Sequence, residues 1–270
     1  MKVAVITPYY KEPRAWLERC IESVRMQTHE AMHIVVADGH PQDWIDALPV
    51  RHLRLDRAHG DYGNTPRAMA SLMAANEGVD AICFLDADNW LQRDHVRSCV
   101  ELASSGDYDY VTTRRHMVRE DGSIMPLRIG EDVDGSHVDT NLYFLLRGAF
   151  HTIGRWALMP RPMAVYGDRV YLASLRADGL ETACTEQRTV RYLCTWAHLY
   201  RDIGETPPAF AKDPLPLSGL PQWYGSLDPR EAELTRRLSG MPPPARTPGE
   251  AGAAPSSTGA AAPSKESAHA

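Results

Sequence analysis

Ala81-Ile82-Cys83-Phe84-Leu85-Asp86-Ala87-Asp88-Asn89 places five apolar side chains directly before two acids and an amide. A short, unbroken apolar run that stops at polar residues describes a strand buried on both faces and ending at a surface crevice. The pattern recurs on either side. Val3–Ile6 runs into Thr7-Pro8-Tyr9-Tyr10, and His33–Ala37 runs into Asp38-Gly39. His52–Leu55 and Tyr108–Thr113 read as two further strands. Helical signals lie between them. Pro13 opens a segment whose Trp16, Leu17, Cys20, Ile21 and Val24 fall at helical spacing. Thr65-Pro66 forms an N-cap and N1 pair for a helix through Asn76, with Gly78 just past its end, and a third helix is expected over Arg93–Ser104. Alternating strands and helices with continuously apolar strands predict an α/β domain, its mostly parallel sheet covered by helices on both faces.

Beyond Arg114 the pattern is less regular. Glu120-Asp121-Gly122-Ser123 reads as a hairpin turn, Asp168–Ala177 as a helix, and Leu180–Thr185 as a late strand. Proline-rich stretches at Thr206–Pro208 and Pro214–Pro221 read as extended loops. The expected organisation is a single domain over 1–225, a C-terminal helix or linker over 226–240, and a disordered tail over 241–270. That last segment is Pro, Gly, Ala and Ser with a few charges, and has no large apolar residue after Met241.

With 270 residues, 43% of them hydrophobic, the chain can build one good-sized core. No stretch approaches the roughly 18 uncharged apolar residues of a membrane span, and Met1–Thr7 reads as a first strand rather than a secretory signal. A net charge of -6 is the wrong sign for a generic nucleic-acid binder. The same charge means that an anionic ligand needs a cation, local arginines or helix N-termini. Five cysteines with no C-x-x-C pair argue against a disulfide framework and a zinc knuckle. The expected compartment is therefore the reducing cytoplasm, including the inner membrane face as a peripheral location.

Ligands of open parallel sheets bind at the carboxyl ends of strands, so the residues that follow each strand carry the chemistry. In an extended segment Asp86 and Asp88 point the same way, which suits one hard cation that also holds phosphates. Without it they would repel a diphosphate, by about 4 kcal/mol for a like-charge pair at 4 Å. The alternative is that Asp88 or Asn89 caps the following helix. Asp38 either accepts a hydrogen bond from a nucleobase or forms an Asp-Gly turn. Arg67, in a helix first turn, either faces phosphate or is a solvated arginine. Asp168 is either a helix cap or a general base. His198 is a candidate metal ligand or a structural histidine. His137, Asp139 and Asn141 form a polar cluster before the apolar Leu142–Leu146, the hint of a substrate-facing turn.

These segments, in this order, resemble family 2 glycosyltransferases of the GT-A fold over roughly Met1–Pro208. Val5-Ile6-Thr7-Pro8-Tyr9-Tyr10-Lys11-Glu12 resembles that family's first strand and its loop over the uridine. Ser23-Val24-Arg25-Met26-Gln27-Thr28 is similar to S-V-x-x-Q-T, and Val36-Ala37-Asp38-Gly39 to V-D-D-G. Gly63-Asn64-Thr65-Pro66-Arg67 resembles G-x-x-x-A-R-N, and Phe84-Leu85-Asp86-Ala87-Asp88-Asn89 resembles F-L-D-A-D-D. The family's late E-D appears as Gly167-Asp168, without the first acid. The resemblance implies an inverting transferase that moves a sugar from a UDP-sugar to an acceptor hydroxyl on a glycan, lipid or small molecule. It assigns Thr7, Pro8, Tyr9, Asp38, Arg67 and Asp86-Ala87-Asp88 to the donor. Asp86, Asp88 and His198 would hold Mg²⁺ or Mn²⁺, and Asp168 would act as base, with Asp139 and Glu131 in reserve.

Three other classes compete. A sugar nucleotidyltransferase normally has a glycine-rich basic loop after the first strand, and Pro8–Glu12 contains no glycine. A non-catalytic nucleotide- or sugar-binding module would explain the missing acid before Asp168. A dehydrogenase is disfavoured because no G-x-G-x-x-G follows a strand.

Overall fold

The computed structural model describes residues 1–127, 137–213 and 219–240. The expected tail over 241–270 and the reserve acid Glu131 lie outside the described residues. Elements follow in the order β1 (Val3–Tyr9), α1 (Arg14–Arg25), β2 (Ala31–Ala37), β3 (Arg51–Arg54), α2 (Asn64–Asn76), β4 (Ala81–Phe84), β5 (Trp90–Leu91) and α3 (His95–Ala103). Then come β6 (Tyr110–Val118), β7 (Tyr143–Leu146), α4 (Gly154–Leu158), α5 (Gly167–Ala177), β8 (Thr182–Leu193), α6 (Ala197–Asp202), α7 (Gly219–Gly225) and α8 (Pro229–Ser239).

One eight-stranded sheet has the order β3-β2-β1-β4-β7-β6-β8-β5. Strands β3, β2, β1 and β4 are mutually parallel, and so are β6 and β8. β7 runs antiparallel to both β4 and β6, and β5 antiparallel to β8. The sheet is thus more mixed than the alternation suggested. The difference comes from β7: its Tyr-Phe-Leu-Leu run is the apolar stretch after the His137–Asn141 cluster, which the periodicity did not identify as a strand.

Successive side chains of each strand face opposite layers. Ala4 and Ile6 of β1 join Phe84, Tyr110, Tyr143, Trp156 and Tyr171 in the layer under α2, α4 and α5. Val3 and Val5 join Cys83, Leu85, Cys99 and Phe144 under α1 and α3. In α1, Leu17, Cys20, Ile21 and Val24 are buried at the spacing anticipated, while Trp16 stays half-buried and donates its indole N–H to Glu120 at 3.2 Å. All five cysteines are unpaired thiols.

Several boundaries moved for identifiable reasons. α2 starts at Asn64 rather than after a Thr65 cap: Gly63 takes a left-handed turn (φ 79°) and Asp61 accepts from the Thr65 N–H at 2.9 Å. Pro66 lies in the first turn, where its missing N–H costs nothing. β6 extends to Val118 through Arg114, Arg115 and His116, polar residues that concealed the strand, and β8 extends to Leu193 to pair with it. The hairpin is present: Gly122 (φ 85°) donates to Arg119 O at 2.9 Å, and Val118 bridges Ile124. Within 226–240, Asp228 and Glu231 cap α8 reciprocally. No helix among the described residues is long and apolar enough to cross a membrane.

Candidate active site

The carboxyl ends of β1, β2 and β4 converge, and the acids behind them are held by different means. After β2, Asp38 is buried, and its carboxylate accepts from His59 N and Nδ1, each at 2.9 Å, and from Gly60 N at 3.3 Å. Gly39 follows at φ 75°, and a Cβ there would lie 2.2 Å from Ala58 N, so only glycine fits. Asp38 is both the turn residue and the clamp on the 57–60 loop.

At the β1 end, the side chains of Thr7, Pro8 and Tyr9 belong to the core, so this loop has its backbone to offer a donor. All three are buried. The Thr7 hydroxyl pairs with His33 Nε2 at 2.9 Å, Pro8 packs beside Gly63, and the Tyr9 hydroxyl meets His52 Nε2 at 2.9 Å while accepting from Gln42 N at 2.8 Å. Tyr10 of this loop is exposed, edge-on to His40 with ring centroids 4.6 Å apart.

Past β4, Ala87 packs with Tyr9 and Leu17 in the core, leaving Asp86 and Asp88 on the other side, as an extended segment requires. Asp86 accepts from Arg67 at 2.7 Å and from Asn141 Nδ2 at 2.9 Å, and its N–H donates to Asn141 Oδ1 at 2.6 Å. Burial raises its pKa, against the pull of Arg67. Asp88 makes no ion pair within 4 Å among the described residues. Burial first, then Asp86 and Glu12, push its carboxyl up to about 8. Asn89 does not cap α3. Its side-chain oxygen accepts from Leu193 N at 2.9 Å and ties the β4 end to β8.

Arg67 is neither a solvated arginine nor an exposed phosphate ligand. It is 2% exposed, paired with Asp86, hydrogen-bonded to Asn64 Oδ1 at 3.2 Å, and packed over the Trp156 ring at 4.9 Å. Its Nε is buried without a partner. Asp139 is similarly committed. Burial works against its charge, but Arg115 and Asn141 hold it below the usual carboxylate range. That removes it as a reserve base.

Asp168 occupies the first turn of α5, where the helix dipole favours a carboxylate. One oxygen accepts from Arg169 N at 2.7 Å, and the other lies 2.5 Å from His137 Nε2, whose N–H donates to it. Gly167 sits at φ -48°, ψ -44°, ordinary helical backbone, so its small size is needed for space. A Cβ there would meet Asn64 Oδ1 at 3.0 Å and Trp156 Cζ3 at 3.1 Å. The residues that hold Arg67 fill the place an acid before Asp168 would need.

His198 lies half-buried on α6 with Nδ1 unpartnered. It does not join Asp86 and Asp88: among the described residues no group of three or more His, Cys, Asp or Glu is arranged to hold a metal. Asn64 and Arg115 are site residues that the sequence did not single out, and Asn141 was named only within a polar cluster. The one sequence signal was the polar alternation of His137, Asp139 and Asn141 before an apolar run.

The family model "Glycosyl transferase family 2" matches residues 4–173. An uncharacterized glycosyltransferase of Rickettsia conorii is 27% identical over 124 residues, 45% of this chain and 20% of that protein, so the chain spans about a fifth of that relative. Among solved structures, S. aureus TarS 1–349 aligns with a TM-score of 0.58 at 13% identity, covering 84% of this chain and 79% of that one. The same fragment solved with UDP aligns at 0.57, covering 87% and 83%, and with UDP-GlcNAc at 0.58, covering 88% and 70%, at 13% and 12% identity. With the family model covering most of the folded chain and the sheet matching a GT-A fold, the protein belongs to glycosyltransferase family 2.

Proposed function

We propose that the protein transfers a sugar from a UDP-sugar to an acceptor hydroxyl with inversion at the anomeric carbon. The observation that carries this reading is the pairing of two acid sites across one polar network. Asp86 and Asp88 close the β4 end, and Asp168 stands at the start of α5, linked through the 137–141 segment. The likeness to TarS structures holding UDP and UDP-GlcNAc supports the choice of donor.

In this mechanism the acceptor oxygen forms its bond to the anomeric carbon on the face opposite the diphosphate. Its proton passes to the Asp168 carboxylate, and the anomeric C–O bond breaks with its electron pair leaving on UDP. Arg67 holds Asp86 in place, because its charge is already matched there. In a chain of net charge -6, a departing diphosphate needs added positive charge. Asp88, an unpaired hard oxygen donor whose proton affinity is raised by burial and then by Asp86 and Glu12, fits a divalent cation such as Mg²⁺ or Mn²⁺. When bound, such an ion supplies positive charge to the departing diphosphate. The absent acid at 167 favoured a non-catalytic module, but crowding by Asn64 and Trp156 accounts for that glycine.

A thermal-shift screen of nucleoside diphosphates and their sugars, with and without Mn²⁺, tests the reading. UDP with Mn²⁺ should stabilise most, by about 2.7 kcal/mol at a hundredfold excess over Kd. Equal shifts with ADP, GDP and UDP, or none, would refute the donor assignment.

A further inference from the structure

Every second residue of the 137–141 segment grips a different part of the site. Asn141 holds Asp86 through both its amide oxygen and nitrogen. Asp139 accepts from Asn141 and pairs with Arg115 of β6. His137 holds Asp168 at 2.5 Å. One short strap thus connects the donor carboxylate to the base carboxylate. We propose that His137 is the positioning residue for Asp168, a role that rests on Asp168 acting as the base.

The chemistry is that of a carboxylate fixed from two sides. The His137 Nε2–H occupies one oxygen, and the Arg169 backbone N–H occupies the other at 2.7 Å. The carboxylate plane cannot rotate, so only its remaining lone pairs can receive the acceptor proton. Among the described residues, Asp168 from α5 and Asp139 from its own segment are charged groups facing the imidazole, the latter matched by Arg115. Tyr143 of β7 adds a hydroxyl on the Asp168 carbonyl at 3.5 Å. Misplacement of a reacting group by about 1 Å can cost roughly a hundredfold in rate, so loss of one of the two constraints should be visible kinetically.

Two measurements test this in the full chain. In protein labelled with ¹⁵N-histidine, the His137 imidazole should titrate at lower pH in Asp168→Asn than in the parent, because the facing carboxylate favours its protonated form. Asp168→Ser serves if the asparagine variant does not fold. An unmoved titration overturns the proposal. Kinetically, UDP release from UDP-GlcNAc with water as acceptor should fall about tenfold or more in His137→Phe, which fills the space but donates nothing. His137→Gln, which keeps a donor, should recover most of the rate at the same melting temperature. Equal rates in the phenylalanine variant and the parent overturn the positioning role while leaving Asp168 as base. Parent-like release in Asp168→Asn overturns the base assignment itself.

Discussion

Replacing Gly167 with alanine isolates the crowding that removed the acid before Asp168. The backbone there is helical, so alanine by itself should stabilise α5 by about 0.5–1 kcal/mol. The added Cβ, however, would stand 3.0 Å from Asn64 Oδ1, 3.1 Å from Trp156 Cζ3 and 3.2 Å from Asn64 Nδ2, where ordinary contact begins at 3.4 Å. Neither neighbour can retreat. Trp156 is 1% exposed in the core, and Asn64 is 2% exposed, bonded to Arg67 and to Ala164 O. Overpacking of this kind costs about 1–3 kcal/mol, which leaves Gly167→Ala about 1 kcal/mol less stable and lowers Tm by about 2–4 °C. Gly167→Glu should cost more than the alanine, since its longer side chain must pass the same two neighbours. Urea denaturation of both variants measures this. An alanine variant that is more stable than the parent would refute the crowding argument.

Arg67→Met should destabilise by about 2–3 kcal/mol, the cost of leaving a buried partner unpaired discounted for the third of Asp86 that is exposed. A loss under about 0.5 kcal/mol by chemical denaturation would show that the Asp86 pairing is incidental. Burial lowers the pKa of His33 to about 3 and of His95 to about 4. Both stay neutral in the folded state while unfolded histidines protonate near 6.5, so their stabilisation is complete above that pH and is lost as pH falls toward 4. At pH 5 each costs on the order of 2 kcal/mol. His33→Gln should flatten that acid limb, and an unchanged slope would contradict it. Asp88→Ala should abolish the Mn²⁺ dependence of UDP binding in calorimetric titration, and tight UDP binding by the parent in EDTA would exclude the metal role.

Much of the parallel half of the sheet was legible because its strands are short apolar runs ending in polar residues, as Val3–Ile6 and Ala81–Leu85 are. What escaped was structure whose residues contradict their local pattern. Arg114, Arg115 and His116 look like loop residues, yet they are the middle of β6, because β8 supplies backbone pairing and acids match the arginines. The positions of Asp38, Asp86, Asp88 and Asp168 could be read from motifs. Their pairings could not: His59 with Asp38, Arg67 and Asn141 with Asp86, and His137 with Asp168 are brought together only by tertiary structure. For Thr7, Pro8 and Tyr9 the motif match locates the loop, while the burial of their side chains is set by the fold.

The central claim is that this fold transfers a sugar with Asp168 as base, and Asp168→Asn tests it directly. The variant keeps the shape and the contact with Arg169 N but cannot take the acceptor proton. UDP affinity by calorimetry and UDP release from UDP-GlcNAc should be measured on the same samples as the parent. Binding should stay within about threefold and Tm nearly constant, while release falls about a hundredfold or more, the usual contribution of general base catalysis. Release within about threefold of the parent would contradict the assignment, because no positioned base loses its proton acceptor at so small a cost.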